Sequence, residues 1–149
     1  MRAVAQRVER ARITVDGELV GEMGAGLLAL VGVARSDGPE AAAELAHKLV
    51  HLRIFPDAED RMNASLLETG GSLGVVSQFT LLGDARKGRR PSWIEAAPPE
   101  QAEPLVEAVC TAARTLGVPV IEGRFRARMA VELVNAGPVT ILLDTERRF

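Results

Sequence analysis

Two segments of this 149-residue chain repeat their apolar residues at helical spacing, and one strand-like run separates them. Ala42, Leu45, Ala46, Leu49 and Leu52 recur at three- and four-residue steps, while Glu44, His47, Lys48 and His51 take the opposite face. One face must be buried and the other solvated, which describes an amphipathic surface helix. Ser36 and Asp37 offer caps ahead of it, and Pro39 suits a first helical turn. From about Pro99 to Leu116 the apolar stripe is Ala102, Leu105, Val106, Val109, Cys110, Ala113 and Leu116, with Gly117 as the stop. Between the helices, Leu73 to Leu82 (LGVVSQFTLL) reads as a central strand.

The flanking segments change period. Residues 3–15 carry Val4, Val8, Ile13 and Val15, and Asp16-Gly17 is a hairpin signal before Leu19 and Val20. Residues 27–33 (LLALVGV) form a brief, glycine-bounded apolar run, which suits a buried strand. Past the second helix come runs at about 119–123, 129–135 and 139–144, the last two separated by Asn135-Ala136-Gly137-Pro138. The order β-β-β-α-β-α-β-β-β is α+β with mostly antiparallel pairing, not a βαβ repeat. Both long helices are expected on one side of the sheet, within a single domain spanning 1–149.

Composition removes several function classes. A net charge of −2 gives no global positive field, so any polyanion site must be local. Four Phe, one Trp and no Tyr argue against a stacking platform for single-stranded bases. The single cysteine excludes an intramolecular disulfide and a cysteine zinc cluster, and two histidines exclude a three-histidine site. No cofactor and no metal are expected. The longest apolar stretch, Ala25 to Ala34, is about half the length that spans a bilayer. Arg2, Arg7, Glu9, Arg10 and Arg12 interrupt the first apolar residues, so no signal peptide is expected. These features suggest a cytoplasmic protein with no membrane partner.

His47 and His51 share a helix face at a spacing that can bind zinc, but Lys48-Leu49-Val50 between them lacks a metalloprotease glutamate. The pair reads as part of the solvated face. Cys110 lies on an apolar stripe with no histidine nearby in sequence and reads as a small core hydrophobe. Gly21, Gly24 and Gly26 precede a strand and lack dinucleotide spacing, so they mark a tight turn. Arg86, Lys87, Arg89 and Arg90 surround Gly88, a local basic patch that is either a solvated charge run or a phosphate-contacting loop. Ser77-Gln78-Phe79-Thr80 puts polar residues into an apolar strand, where they need partners or a purpose. Gly137-Pro138 is explained most simply as a tight turn between strands.

Taken together, MRAVAQRV at the start, RIFPDAEDRMNASL (53–66), VVSQFTL (75–81), KGRRPS (87–92), GRF (123–125) and VNAGPVT (134–140) resemble the D-aminoacyl-tRNA deacylase family. The likeness covers nearly the whole chain in order. Ala136 departs from it, since family members usually carry an acidic residue there, and the tail Glu146-Arg147-Arg148-Phe149 has no assignment. The resemblance implies a barrel-like α+β homodimer with active sites at the subunit interface. It implies hydrolysis of the ester joining a D-amino acid, or mischarged glycine, to the 3′-terminal adenosine of tRNA. Ser77, Gln78, Phe79 and Thr80 match the first signature motif. Gly137 and Pro138 match the second, a cis Gly-Pro pair that enters the partner's pocket and rejects L-amino acids, and Arg7 matches the residue holding that pair. Phe125 and Met129 match positions lining the adenosine pocket. Arg86, Lys87, Arg89 and Arg90 become candidates for the tRNA backbone. Two alternatives stay open: a non-catalytic RNA-binding dimer module, and a conventional esterase using Ser77 or Thr80 as nucleophile.

Overall fold

The computed structural model describes residues 1–148. Its sheet is organised around β1 (Arg2–Val15), which is long enough to serve two neighbours on one edge. The second half of β1 pairs antiparallel with β2 (Glu18–Met23), and the first half with β3 (Gly26–Gly32). Asp16 and Gly17 turn the first hairpin with φ of 50° and 83°, the left-handed pair that matches strand twist. α1 (Pro39–His51) follows, then a small hairpin of β4 (Phe55–Pro56) and β5 (Met62–Ala64), then α2 (Leu66–Thr69). β6 (Ser72–Ser77) joins β3 in parallel. After α3 (Pro99–Thr115), β7 (Val120–Glu122) joins β6, again in parallel. β8 (Met129–Asp144) runs antiparallel along the other edge of β1 for its whole length. β2 and β7 approach each other, so the twisted sheet nearly closes into a barrel.

The continuous apolar character of β3 now has a cause, because both of its faces are buried. Leu27, Ala29 and Val31 join Leu73 and Val75 of β6 beneath Leu45 and Leu49 of α1 and Val109 and Cys110 of α3. Leu28 faces the barrel interior with Val8, Ile13, Met23 and Val76. Each such leucine or valine contributes about 1.5–3 kcal/mol by leaving water. The two long helices lie on one side of the sheet, as their periodicity requires.

Four expectations need correction. Pairing is mostly antiparallel, yet the sheet is mixed, because β3, β6 and β7 are mutually parallel; α1 lies in the crossover from β3 to β6 and α3 in that from β6 to β7. The central strand stops at Ser77, and Phe79–Leu82 winds into a 3₁₀ turn. Residues 129–135 and 139–144 are one strand, and Asn135-Ala136-Gly137-Pro138 is an interruption inside it. Neither Ser36 nor Asp37 caps α1, whose N-cap is Gly38. Asp37 is buried and accepts hydrogen bonds from the Met1 amino group at 2.5 Å and the Ala34 amide at 2.6 Å. Ser36 donates to Glu146, and Arg148 pairs with Glu95, which anchors most of the C-terminal tail; Phe149 lies outside the described residues.

Candidate active site

Ser77 closes the β6 ladder opposite Val31, and from there Ser77, Gln78 and Phe79 reach a cavity, while Thr80 is exposed and is not part of its lining. The Gln78 amide still donates to the Val31 carbonyl at 2.7 Å, which fixes the end of β6 to β3. The chain then turns, with Leu81 N–H donating to Gln78 O and Gly83 N–H to Thr80 O. Phe79 and Thr80 head this turn, where backbone N–H groups have no intrahelical acceptor. The Gln78 side-chain amide donates to Thr80 Oγ1 at 2.5 Å, so these two polar groups satisfy each other. Gly32 makes this arrangement possible. A Cβ there would lie 2.6 Å from Leu82 Cδ2 and 2.9 Å from the Gln78 carbonyl oxygen.

The cavity has a volume of about 650 Å³, within the usual range for small-molecule sites. Ser77, Gln78 and Phe79 line it, together with Phe125 and Met129. Trp93 forms part of its rim and meets Phe79 edge-to-face, with ring centroids 5.9 Å apart. Pro99, Ala102 and Val106 of α3 supply an apolar side. Sequence reasoning missed this wall and missed Trp93; the sole tryptophan, directly after Pro91-Ser92, was the available signal. Among the lining residues Arg126 alone carries a titratable side chain.

Gly137, Pro138 and Arg7 are not brought to this cavity within one protomer. The β1–β8 register passes from Gln6↔Thr140 to Val8↔Asn135, so residues 136–139 bulge opposite Arg7 alone. Arg7 fills the gap left in the ladder. Its Nε donates to the Ala136 carbonyl at 2.9 Å and its Nη1 to the Ile54 carbonyl at 2.5 Å. Ala136 is thus held through its backbone, and a side-chain acid is not needed for that contact. The Gly137-Pro138 peptide is cis, and both residues are exposed on the edge strand.

The basic loop is pinned at its base by reciprocal amide–carbonyl bonds between Asp84 and Ser92. Arg86 is not an available cation. Its Nε and Nη2 clasp the two Asp84 carboxylate oxygens at 2.8 and 2.7 Å, and this holds the Asp84 carboxyl well below the usual range. Lys87, Arg89 and Arg90 are exposed around Gly88.

His47 and His51 stack on each other at 4.1 Å on α1, with no metal-holding group of His, Cys, Asp and Glu among the described residues. Cys110 is fully buried, and burial together with the Glu122 charge pushes its thiol up to about 12. The folded protein is therefore expected to resist a disulfide thiol reagent at neutral pH and to react stoichiometrically once unfolded. Rapid labelling of the folded form would contradict this burial. No helix among the described residues is long and apolar enough to cross a membrane.

Known proteins resemble this chain over nearly its whole length. A D-aminoacyl-tRNA deacylase of Anaeromyxobacter dehalogenans is 60% identical over 149 residues, covering 100% of both chains. One from Symbiobacterium thermophilum is 55% identical, covering 100% of this chain and 99% of its own. Among solved structures, a c-Myc DNA Unwinding Element Binding Protein superposes with a TM-score of 0.91 at 34% identity, covering 97% of this chain and 99% of that one. A structure described as "a probable eukaryotic D-amino acid tRNA deacylase" gives 0.81 at 21% identity, covering 95% and 97%, and so shares the fold. The family model for D-Tyr-tRNA(Tyr) deacylase matches residues 4–144, and with full-length relatives at this identity the chain belongs to that family.

Proposed function

We propose that this protein hydrolyses the ester between a D-amino acid, or glycine, and the 3′-terminal adenosine of tRNA, releasing free amino acid and tRNA. The observation that carries the reading is a cavity lined by Ser77, Gln78 and Phe79 together with Phe125 and Met129, at the head of the turn that holds Thr80. The two aromatic-and-thioether walls suit a nucleobase. The turn suits an acyl group, because the Phe79 and Thr80 amides are oriented donors for a carbonyl oxygen that gains negative charge. Thr80 Oγ1 accepts from Gln78 and keeps its own proton to donate to water or carbonyl. Water attacks the ester carbon, the bond to the ribose oxygen breaks, and that oxygen receives a proton, with the neighbouring 2′-hydroxyl assisting. An aminoacyl ester is already activated, so positioning supplies much of the acceleration.

This reading is favoured over a conventional esterase by the lining itself. A nucleophilic Ser77 or Thr80 needs a base within hydrogen-bond reach. The main cavity's lining offers only Arg126 as an ionisable group, both histidines stack away on α1, and the three glutamates of a smaller cavity beside Ser77 make no hydrogen bond to its hydroxyl, Glu122 being paired with Arg114. An ester-reactive covalent probe is expected to leave Ser77 and Thr80 unlabelled. A non-catalytic RNA-binding module would make no demand on Thr80. Steady-state hydrolysis of D-aminoacyl-tRNA, with Thr80→Ala falling well over tenfold, separates the two.

L-substrates are rejected, in this proposal, by Gly137 and Pro138 of a second copy. Glycine lets the backbone come close to a substrate and proline fixes its direction. Supporting this, the turn is exposed and outside its own cavity, on β8, a 16-residue edge strand that also exposes Leu133 and Leu142. An edge of that length is a template for pairing with another chain. Sedimentation at micromolar concentration is expected to show about twice the chain mass.

The loop cations divide. Neutralising Lys87, Arg89 and Arg90 together is expected to weaken tRNA binding and to flatten its salt dependence. Hydrolysis of a short aminoacyl-adenosine ester should change less than a few-fold. Equal losses on both substrates would place those side chains in the active site.

A further inference from the structure

Between Phe125 and Met129 the chain does something the fold does not require. Arg126 sits at φ 60°, a left-handed conformation that suits glycine and that a long side chain rarely adopts. A residue held in a sparsely populated region at the edge of a site is a reason to look for a function. Its conformation presents Arg126 at the cavity, where it is the lone ionisable lining residue. Three arginines alternate here, and they are not equivalent. Arg124 is paired with Glu18 at 3.1 Å. Arg126 makes no salt bridge among the described residues. Arg126 and Arg128 are both exposed, but only Arg126 lines the cavity.

Charge around the cavity is also asymmetric. A smaller adjoining cavity of about 100 Å³ shares Ser77 and Phe125 and carries Glu103 and Glu107, which repel an anion, beside Glu122, which is paired with Arg114. The main cavity has the unpaired guanidinium. A guanidinium presents a planar fork of donors that matches phosphate oxygens.

We propose that Arg126 binds the phosphate on the 5′ side of the substrate's terminal nucleoside, so that the cavity takes a nucleotide and not a bare nucleoside. The inference rests on the reading of Phe125 and Met129 as the walls of a nucleoside pocket. Arg126 follows Phe125 directly in the chain and lines the same cavity as Phe125 and Met129, so a base held by those two residues would bring its own sugar-phosphate within that cavity. Arg126 is a positioning residue here, and it touches no reacting atom.

The test compares adenosine with adenosine 5′-monophosphate by calorimetry, on the wild type and on Arg126→Gly, Arg126→Lys and Arg128→Ala. Glycine accepts φ 60° freely, so Arg126→Gly keeps the loop and removes only the side chain. The wild type is expected to bind the monophosphate about tenfold more tightly than adenosine. Arg126→Gly should bind both equally, Arg126→Lys should recover part of the preference, and Arg128→Ala should retain it. Equal binding of the two ligands by the wild type, or a preference that survives in Arg126→Gly, overturns the inference. So does an equal loss in Arg128→Ala, which would make the effect a diffuse field. D-alanyl-adenosine, which lacks the phosphate, reports the other reading separately. A protein that prefers the monophosphate but fails to hydrolyse this ester would retain the phosphate subsite and lose the deacylase assignment.

Discussion

Gly137→Ala is expected to lower hydrolysis of D-aminoacyl-tRNA and glycyl-tRNA alike by about 100-fold, roughly 2.7 kcal/mol of transition-state stabilisation. The added methyl has no place to go. At φ 122° an L side chain is strained, and its Cβ would lie 2.7 Å from Arg7 Nη2 and 3.0 Å from Val139 Cγ2. Arg7 cannot yield without giving up the carbonyls of Ala136 and Ile54 that it holds. The turn therefore re-sets its direction while the rest of β8 stays on β1. Because Gly137 is exposed, the melting temperature should move by only a few degrees. Arg7→Ala should reproduce the catalytic loss from the other side of the same contact. A Gly137→Ala protein with wild-type rates on D-substrates would show that this turn never meets the substrate.

A second substitution acts from beneath the site. Gly32→Ala would place a methyl 2.6 Å from Leu82 Cδ2, 2.9 Å from the Gln78 carbonyl oxygen and 3.1 Å from Leu81 Cβ. Restoring ordinary contact distances means moving the 3₁₀ turn by roughly 1 Å. Leu82 is buried and has no solvent to move into, so the displacement passes to Phe79 and Thr80. A misplacement of that size can cost about 100-fold in rate. The expected signature is a fall in kcat of that order on tRNA and on aminoacyl-adenosine alike, with monophosphate binding within a few-fold of wild type. Overpacking should also lower stability by about 1–3 kcal/mol. Unchanged kcat would mean that the turn does not position the reacting groups.

The parts of the fold legible in the sequence are those specified locally. Asp16-Gly17, Pro39 and Gly117 punctuate the chain through their own backbone preferences, and the hairpin, α1 and α3 begin or end where those residues stand. The amphipathic stripes of α1 and α3 likewise depend only on residues a few positions apart. Parallel pairing of β3, β6 and β7 is different, since partners such as Leu27 and Leu73 are set by the crossover helix and not by either strand. Gly137-Pro138 illustrates the same limit. On local chemistry it is a turn between two strands, yet β8 continues through it because Arg7, 129 residues from Ala136, bonds in place of the ladder.

The candidate site was legible in the sequence only in part. Ser77, Gln78 and Thr80 stood out as polar residues in an apolar run, and the reason proved to be that the strand ends there. The pairing of Arg86 with Asp84 was two residues away in sequence and still altered the reading of the basic loop. The apolar wall from α3 carried no signal, because Ala102 and Val106 continue a stripe that packing alone explains.

The measurement that bears most directly on the account is deacylation of one tRNA charged with the D- or the L-form of the same amino acid by the purified protein. The account predicts hydrolysis of the D-ester orders of magnitude above its spontaneous rate, with the L-ester decaying no faster than without enzyme. Equal rates on the two esters, or no acceleration of the D-ester, would contradict it.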